Sequence, residues 1–375
     1  MKAIFIRLLW NSKTRAFILW LMRLLPLQRN RVMCVSWGGA SYSCNPRAIA
    51  ERLDKKDWHV CYGLYNANNI VVGSNIEAVE IGSLRYFYLL YTSRFIISNI
   101  HLAGCYWPHK TNGQVYIFTS HGGHGIKRIE FDAQLSSQYL NSALLDINRF
   151  DLMLSNSRWR TNIYRTAYRY AGEVIEKVLP RNDIFFQKKS IDSSTKKYLL
   201  YTPTFRANKQ TDVYAFQTAK MIDEVINALE KKFGGEWHIR ISSHPNMRGY
   251  YKQVYCFSHP RMIDVGESND LQQVMLDSNA LITDYSSAEM DFSLLKRPVF
   301  QYCADRKEYD RGFYIVPETL PFPYAETEQQ LIDNILNFDN EKYLADLEHF
   351  NSDIIGLNET GHATEAVVEW IRSKR

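Results

Sequence analysis

Two histidines stand where a folded chain would put them to chemical use. In Thr119-Ser120-His121-Gly122-Gly123-His124-Gly125-Ile126-Lys127-Arg128 an apolar run from Val115 to Thr119 stops just before His121. An imidazole titrates near neutrality and so suits a general base. Three glycines let backbone approach a ligand closely, and Lys127 and Arg128 favour an anion there. His124 lies three residues beyond His121. The second histidine, His244, closes Ile239-Arg240-Ile241-Ser242-Ser243-His244-Pro245, again an apolar run ending at a Pro-marked turn. Two such histidines fit a base and a partner that stabilises phosphate charge across one substrate. Equally, a histidine after a strand is often only a structural residue held by backbone. A third segment, Leu281-Ile282-Thr283-Asp284-Tyr285-Ser286-Ser287-Ala288-Glu289-Met290-Asp291-Phe292, runs from a buried strand into hydroxyls at a helix start. Ser286, Ser287 and the first helical N–H groups can hold a phosphate, or the serines can merely cap the helix, with Asp291 only solvating it. Arg206 in Tyr201-Thr202-Pro203-Thr204-Phe205-Arg206, and Arg311 in Arg311-Gly312-Phe313-Tyr314, offer fork-shaped donors for phosphate or serve as loop anchors.

The elements that must position these residues alternate strand and helix. Val32 to Ser36 reads as a strand, followed by a turn with Gly38 and Gly39 and a helix opening near Asn45-Pro46. Apolar runs recur at His59 to Tyr62, Phe95 to Ser98, Val115 to Thr119 and Leu152 to Ser155, spaced for crossover helices. This is a parallel, doubly wound pattern. A polar, Ser- and Lys-rich stretch from Gln187 to Lys197 marks a boundary. Beyond it strands are expected at Tyr198 to Tyr201, His238 to Ser242, Met262 to Val265 and Ala280 to Thr283. Helices are expected around Tyr214 to Lys232, Ala288 to Leu295, Glu328 to Phe338 and Ala363 to Lys374. The organisation expected is α/β, two Rossmann-like domains facing a cleft: residues 1–30 a basic amphipathic segment, 31–190 the first domain and 191–375 the second.

Composition narrows the class. Aromatic residues make up 14% of the 375 and charged residues 23%, which excludes a disordered or coiled-coil chain. The six cysteines show no CxxC pair, which fits a reduced compartment and suggests no zinc ribbon. Residues 1–50 hold eight basic residues and no acid, whereas the rest of the chain holds 37 basic and 40 acidic residues. The near-neutral body argues against nucleic acid as a partner. In the basic end, apolar residues such as Phe17, Trp20 and Leu24 are broken by Arg15 and Arg23, and the longest charge-free run, Ala16 to Met22, is too short to span a bilayer. No small-residue cleavage site of a secretory signal follows. The segment fits an amphipathic stretch lying on an anionic membrane, or a first helix packed on the protein. No GxSxG, Walker loop or GxGxxG is present.

Together these segments resemble the CDP-glycerol glycerophosphotransferase family of teichoic acid and capsule synthesis. The resemblance covers most of the chain. It is carried by Trp37 to Arg47, by Leu179-Pro180-Arg181-Asn182-Asp183, by Tyr201 to Arg206, by Ser242 to Pro245 and, most specifically, by Leu281 to Pro298 with its Leu-Ile-Thr-Asp-Tyr-Ser-Ser signature. The resemblance implies a glycosyltransferase B-type fold, His121 and His244 as catalytic residues, and Thr283, Ser286 and Ser287 at the donor pyrophosphate. It places Arg206 and Arg311 near that site, with Gly122, His124 and Lys127 in the loop bordering the acceptor. One stretch departs: Ser120 stands where the family usually has Trp, and Gly123-His124-Gly125 replaces the start of Thr-Pro-Leu.

The activity so implied is transfer of a polyol phosphate, glycerol phosphate foremost, from a CDP-linked donor to a hydroxyl of a lipid-linked or membrane-bound saccharide, releasing CMP. The expected place is the cytoplasmic face of the membrane, peripherally bound to the inner leaflet. No cofactor is expected, since no carboxylates cluster as a metal site, although Mg²⁺ carried by a pyrophosphate would leave no sequence signature. A nucleotide-sugar glycosyltransferase of the same two-domain build is the alternative, and a non-catalytic polysaccharide-binding protein would have no need of the histidine pair.

Overall fold

Runs of Val, Ile, Leu, Phe and Tyr buried on both faces, such as Val115–Phe118, Leu152–Ser155, Ala280–Thr283 and Val299–Tyr302, require sheets covered by helices on each side. The computed structural model describes residues 12–102, 107, 109–122, 125–177, 179–187, 196–204, 206, 214–242, 251–266, 270–309, 312–358 and 360–375. Its first half contains α1 (Ser12–Met22), β1 (Gln28–Val35), α2 (Cys44–Arg52), β2 (His59–Leu64), β3 (Ile76–Glu80), α3 (Leu84–Thr92), β4 (Ser93–Ser98), β5 (Val115–Phe118), α4 (Ser137–Ile147), β6 (Leu152–Ser155), α5 (Arg158–Ala167) and β7 (Glu173–Glu176). The second half contains β8 (Lys196–Thr202), α6 (Ala219–Phe233), β9 (Glu236–Ile241), α7 (Tyr251–Val254), β10 (Met262–Asp264), α8 (Leu271–Leu276), β11 (Ala280–Thr283), α9 (Ala288–Ser293), β12 (Val299–Tyr302), β13 (Tyr324–Ala325), α10 (Glu328–Leu336), α11 (Asn340–His349) and α12 (Ala363–Ser373). Short polar caps start the helices: the side chains of Ser83, Ser136, Ser157 and Thr218 accept from backbone N–H groups of the first turns of α3, α4, α5 and α6.

The first sheet has the order β3-β2-β1-β4-β5-β6-β7 and the second β10-β9-β8-β11-β12-β13, and each described strand pair runs parallel. Each sheet reverses direction once, between β1 and β4 and between β8 and β11. In such sheets ligands gather where the strands end at that reversal.

The strands expected from sequence are present, most with ends displaced by one or two residues. Four were not anticipated: β3, β7, β12 and β13. The last helix also differs from expectation. It follows the second sheet in the chain but packs on the first, where Val367, Val368 and Ile371 join Ile49, Val60 and Phe95 in one buried cluster. Trp370 Nε1 donates to Glu173 at 2.7 Å, and Arg52 pairs with Glu365. So the domain assigned to 191–375 returns its end to its neighbour.

Asp183 directs that return. Its two carboxylate oxygens accept the N–H groups of Ala363 (3.0 Å) and Thr364 (2.8 Å), capping α12 from the turn that closes the first half. A buried carboxylate on a helix start meets free N–H donors and the positive helix end together. Asp183→Ala is expected to lower stability in urea unfolding by about 2 kcal/mol, with Asp183→Asn recovering part of the loss; an unchanged midpoint would contradict the capping role.

Candidate active site

The wall contributed by the first sheet is built around His121. β1 runs into Trp37, whose backbone N–H donates to Asn99 Oδ1 at 2.8 Å. Asn99 follows β4, and its carbonyl lies 3.0 Å from His121 Nδ1. A carbonyl only accepts, so Nδ1 carries the hydrogen and Nε2 keeps its lone pair, the tautomer a general base requires. The Trp37 ring packs on the imidazole with centroids 4.7 Å apart. Ser120 turns the chain through a left-handed φ of 56°, and Asn45 Nδ2 holds the turn by donating to the carbonyls of Thr119 (3.3 Å) and Ser120 (3.0 Å). Desolvation by the surrounding protein pushes the His121 pKa down to about 4, with Arg181 and Arg160 adding to the fall and the Asn99 carbonyl and Glu130 opposing it. His121 is therefore neutral throughout the physiological range.

The two walls touch at the glycine-rich loop. A Cβ placed on Gly122 would stand 3.1 Å from Ser287 Oγ, and one on Gly125 would stand 3.3 Å from Ser287 Cβ. Any side chain larger than glycine here would crowd Ser287. Past the loop, Lys127 bridges to Phe313 in antiparallel fashion, Arg128 N–H donates to the Gly312 carbonyl (2.8 Å), and Tyr314 N–H donates to the Ile126 carbonyl (2.8 Å). Beneath them Arg181 pairs with Asp291 of α9, Asn182 Nδ2 donates to the same carboxylate at 2.9 Å, and Arg181 Nη1 donates to the His121 carbonyl at 2.5 Å. Asp291, which on one reading of the sequence would only solvate its helix, is buried and joins the two domains.

On the second sheet, Ser286 and Ser287 are half-buried at the reversal after β11, and Ser287 lies against the glycines that follow His121. Neither caps α9 in the ordinary way: Ser287 makes no capping bond, and Ser286 Oγ accepts from Ala288 N–H at 3.2 Å. Thr283 is fully buried, its hydroxyl donating to the Thr202 carbonyl at 2.5 Å, so it braces β8 against β11 rather than facing the cleft. Arg206 also differs from expectation. Its Nε donates to Asp305 (2.5 Å), its Nη2 to Asp305 and Asp284 (2.9 Å each), and its Nη1 to the Thr204 carbonyl (3.0 Å) and hydroxyl. The rings of Tyr285 and Tyr309 lie 5.3 and 5.1 Å away. With its N–H groups taken by protein acceptors, this guanidinium fastens strand ends together and leaves no donor for phosphate. Asp284 is bound rather than loose, accepting also from Thr204 N–H and hydroxyl. Behind the serines Glu289 is fully buried; burial raises its carboxyl well above the usual range, with Gln301 and Lys127 opposing.

Sequence reasoning did not find a second charged group near His121. His101 follows β4, its ring stacked with Phe118 (5.3 Å) and Phe150 (5.9 Å), and its two nitrogens lie 3.6 Å from Glu130 and 3.5 Å from Asp146. Burial works against its charge, but Asp146 and Glu130 outweigh it and raise the pKa to about 9. Glu130 is nearly buried with a left-handed φ of 46°. No motif spacing signals this group, because its members come from three separate loops and helices. The expected residues Gly123, His124, His244 and Arg311 lie outside the described residues. Among the described residues one cluster has ligand spacing for a metal, His59, Cys61 and Glu77, but it lies at the end of β2 remote from the cleft and is already bonded to Arg31 and Arg85.

Two outcomes follow for the histidines. Activity that requires neutral His121 should persist down to about pH 5 and fall only as pH drops through about 4; a limb near 6.5 in kcat/KM would contradict the tautomer and environment described. The raised pKa of His101 gives stability that is full below pH 6.5 and lost as pH rises through about 9. Urea unfolding of His101→Phe against the unsubstituted protein should therefore show a gap of roughly 2–3 kcal/mol at pH 6 that closes by pH 10.

Comparison with known proteins agrees with this architecture. The chain is 27% identical to a teichoic acid poly(glycerol phosphate) polymerase of Bacillus spizizenii, over 92% of this chain and 93% of that one. It is 28% identical to the polymerase of the same description from Staphylococcus epidermidis over 81% of this chain, but spans only 45% of that longer protein. The wall teichoic acid polymerase TagF superposes with a TM-score of 0.81 at 24% identity, covering 96% of this chain and 93% of that one, which shows the same fold. The family model for CDP-glycerol:poly(glycerophosphate) glycerophosphotransferases matches residues 17–373, and with a match of that extent the chain belongs to this family of enzymes.

Proposed function

We propose that the protein transfers glycerol phosphate from CDP-glycerol to a hydroxyl of a membrane-associated saccharide or polymer acceptor, releasing CMP, in the synthesis of teichoic acid or a related cell-surface polymer. The observation that carries this is the meeting of two loops: neutral His121, with Nε2 free to accept, on the loop whose Gly122 packs against Ser287, where a Cβ would stand 3.1 Å from the Ser287 hydroxyl. In a glycosyltransferase B-type arrangement the acceptor occupies the first domain and the CDP-linked donor the second.

The acceptor hydroxyl gives its proton to His121 Nε2 as its oxygen bonds to the glycerol-bearing phosphorus. The bond from that phosphorus to the bridging anhydride oxygen breaks, and CMP leaves with the oxygen and the electron pair. Ser286, Ser287, His244 and Arg311 are assigned to the charge that gathers on the pyrophosphate, Gly122, His124 and Lys127 to the loop over the acceptor, and Arg206 and Thr283 to positioning the turn. No step is routed through a metal. An ordered donor set in a water-poor cleft favours the transition state over the ground state.

The protein is assigned to the cytoplasmic face of the membrane as a peripheral protein. α1 supports this by burying Leu19 while Phe17, Trp20 and Leu21 stay exposed, as do Leu24 and Leu25 just beyond it. Among the described residues no helix is long and apolar enough to cross a membrane.

CMP release should be measured from CDP-glycerol, CDP-ribitol and a UDP-sugar with a detergent-dispersed lipid-linked acceptor. CMP is expected from CDP-glycerol, with His121→Ala slower by about 10²- to 10⁴-fold and still folded. Turnover of the UDP-sugar alone would mean glycosyl transfer instead, and full activity in His121→Ala would remove the base assigned here.

A further inference from the structure

At the end of the first sheet opposite His121 lies a cavity of about 780 Å³. Its walls come from Arg23 after α1, Arg94 at the start of β4, His109 and Lys110 ahead of β5, and Arg149 and Asp151 ahead of β6. Four cations and a histidine thus surround one carboxylate. Lys110 pairs with Asp151 and donates to the Arg149 carbonyl (2.9 Å); Arg149 Nη1 donates to the Trp107 carbonyl (3.0 Å) and lies 3.7 Å from Asp146; Arg94 Nη2 donates to the Lys374 carbonyl (3.3 Å). Asp151 neutralises Lys110 and Asp146 faces Arg149, while the other partners are neutral carbonyls, so net positive charge remains around the cavity. Arg23 Nε is buried and has no hydrogen-bond partner. The pKa of His109 falls through burial and then through Arg23 and Arg149, an independent sign that positive charge concentrates here.

The surroundings of the cavity point to its ligand. α1, α3 and α4 cover the same face of the first sheet, sharing one core through Leu19, Tyr86, Phe87, Ala143 and Ile147. Their outer sides expose Trp20 (51%), Leu84 (52%) and Leu145 (59%), and Leu24 (67%) is exposed just beyond α1. An apolar helical face bordered by a cation-rich hollow suits a molecule that is apolar at one end and phosphate at the other. A free phosphate has no use for the apolar border. We propose that the cavity formed by Arg23, Arg94, Lys110 and Arg149 holds the phosphate of an anionic lipid headgroup and so fixes the pose of the protein on the bilayer. The assignment rests on the membrane association given above and adds a defined site to it.

The test is sedimentation of the whole protein with phosphatidylcholine vesicles, with and without phosphatidylglycerol, beside two variants of equal charge loss. The pocket variant is Arg23→Ala with Arg94→Ala; the control is Lys231→Ala with Lys232→Ala, in the last turn of α6. The pocket variant should bind phosphatidylglycerol vesicles about thirty-fold more weakly, from roughly 1 kcal/mol for each cation at an anionic surface. The control should bind as the unsubstituted protein does, and both should release CMP normally with a water-soluble acceptor. Equal losses in both variants, or none in the pocket variant, would overturn the site while leaving membrane association standing. Binding of inorganic phosphate by the cavity, with vesicle binding unweakened in the pocket variant, would also overturn it, naming free phosphate as the ligand. Binding of the unsubstituted protein to neither vesicle would overturn the membrane association and the site together.

Discussion

Arg181 reaches from the turn that closes the first sheet to Asp291 in α9 of the second, and the cleft depends on that reach. The pair is almost wholly buried. Two charges withdrawn from water are held only if their remaining hydrogen-bonding groups are met, and removing one partner strands the other at a cost of about 3–5 kcal/mol. Here Asn182 meets the second oxygen of Asp291, while Arg181 gives another N–H to the carbonyl of His121. Its own backbone N–H goes to Asn45 Oδ1 at 3.1 Å. One guanidinium therefore ties the spacing of the domains to the position of the residue assigned as base.

Other features follow from the closeness this clamp imposes. With the walls in contact at Ser287, side chains at 122 and 125 would crowd Ser287 at 3.1 and 3.3 Å, so glycine fits the loop after His121 best. The imidazole, set by Asn99 and covered by Trp37, lies between guanidinium groups that favour its neutral form. On the far wall Arg206, Asp284 and Asp305 form a matching clamp inside the second domain, stiffening the turn that carries Ser286. Rigid strand ends holding short loops suit phosphoryl transfer, in which positioning and charge stabilisation provide most of the rate.

Much of this was readable before any coordinates, for a definite reason. A parallel strand buried on both faces appears as an unbroken apolar run, so Leu152–Ser155 and Ala280–Thr283 were placed at their observed ends. Edge strands carry no such run: Ile76-Glu77-Ala78-Val79-Glu80 and Glu173-Val174-Ile175-Glu176 alternate with charge, and both passed unnoticed. The location of His121 at a strand end was legible from Val115 to Thr119 alone. The fates of Arg206, Thr283 and Asp291 were not, because whether an arginine faces a ligand or two buried aspartates depends on residues 78 to 110 positions away. Nor does any local signal say which sheet a final helix covers; chain order placed α12 with the second, while Val367 and Ile371 found the first.

The central claim is that the Arg181–Asp291 pair acts as one unit to hold His121 against the Ser286–Ser287 turn. A double-mutant cycle in kcat/KM for CDP-glycerol tests it most directly, using Arg181→Gln, Asp291→Asn and the two combined, with folding followed by circular dichroism. The account predicts that either change alone costs about 10²-fold and that the pair costs no more than the worse single change, a coupling of roughly 2–3 kcal/mol. Losses that multiply in the double variant would show the two residues acting separately and would contradict it.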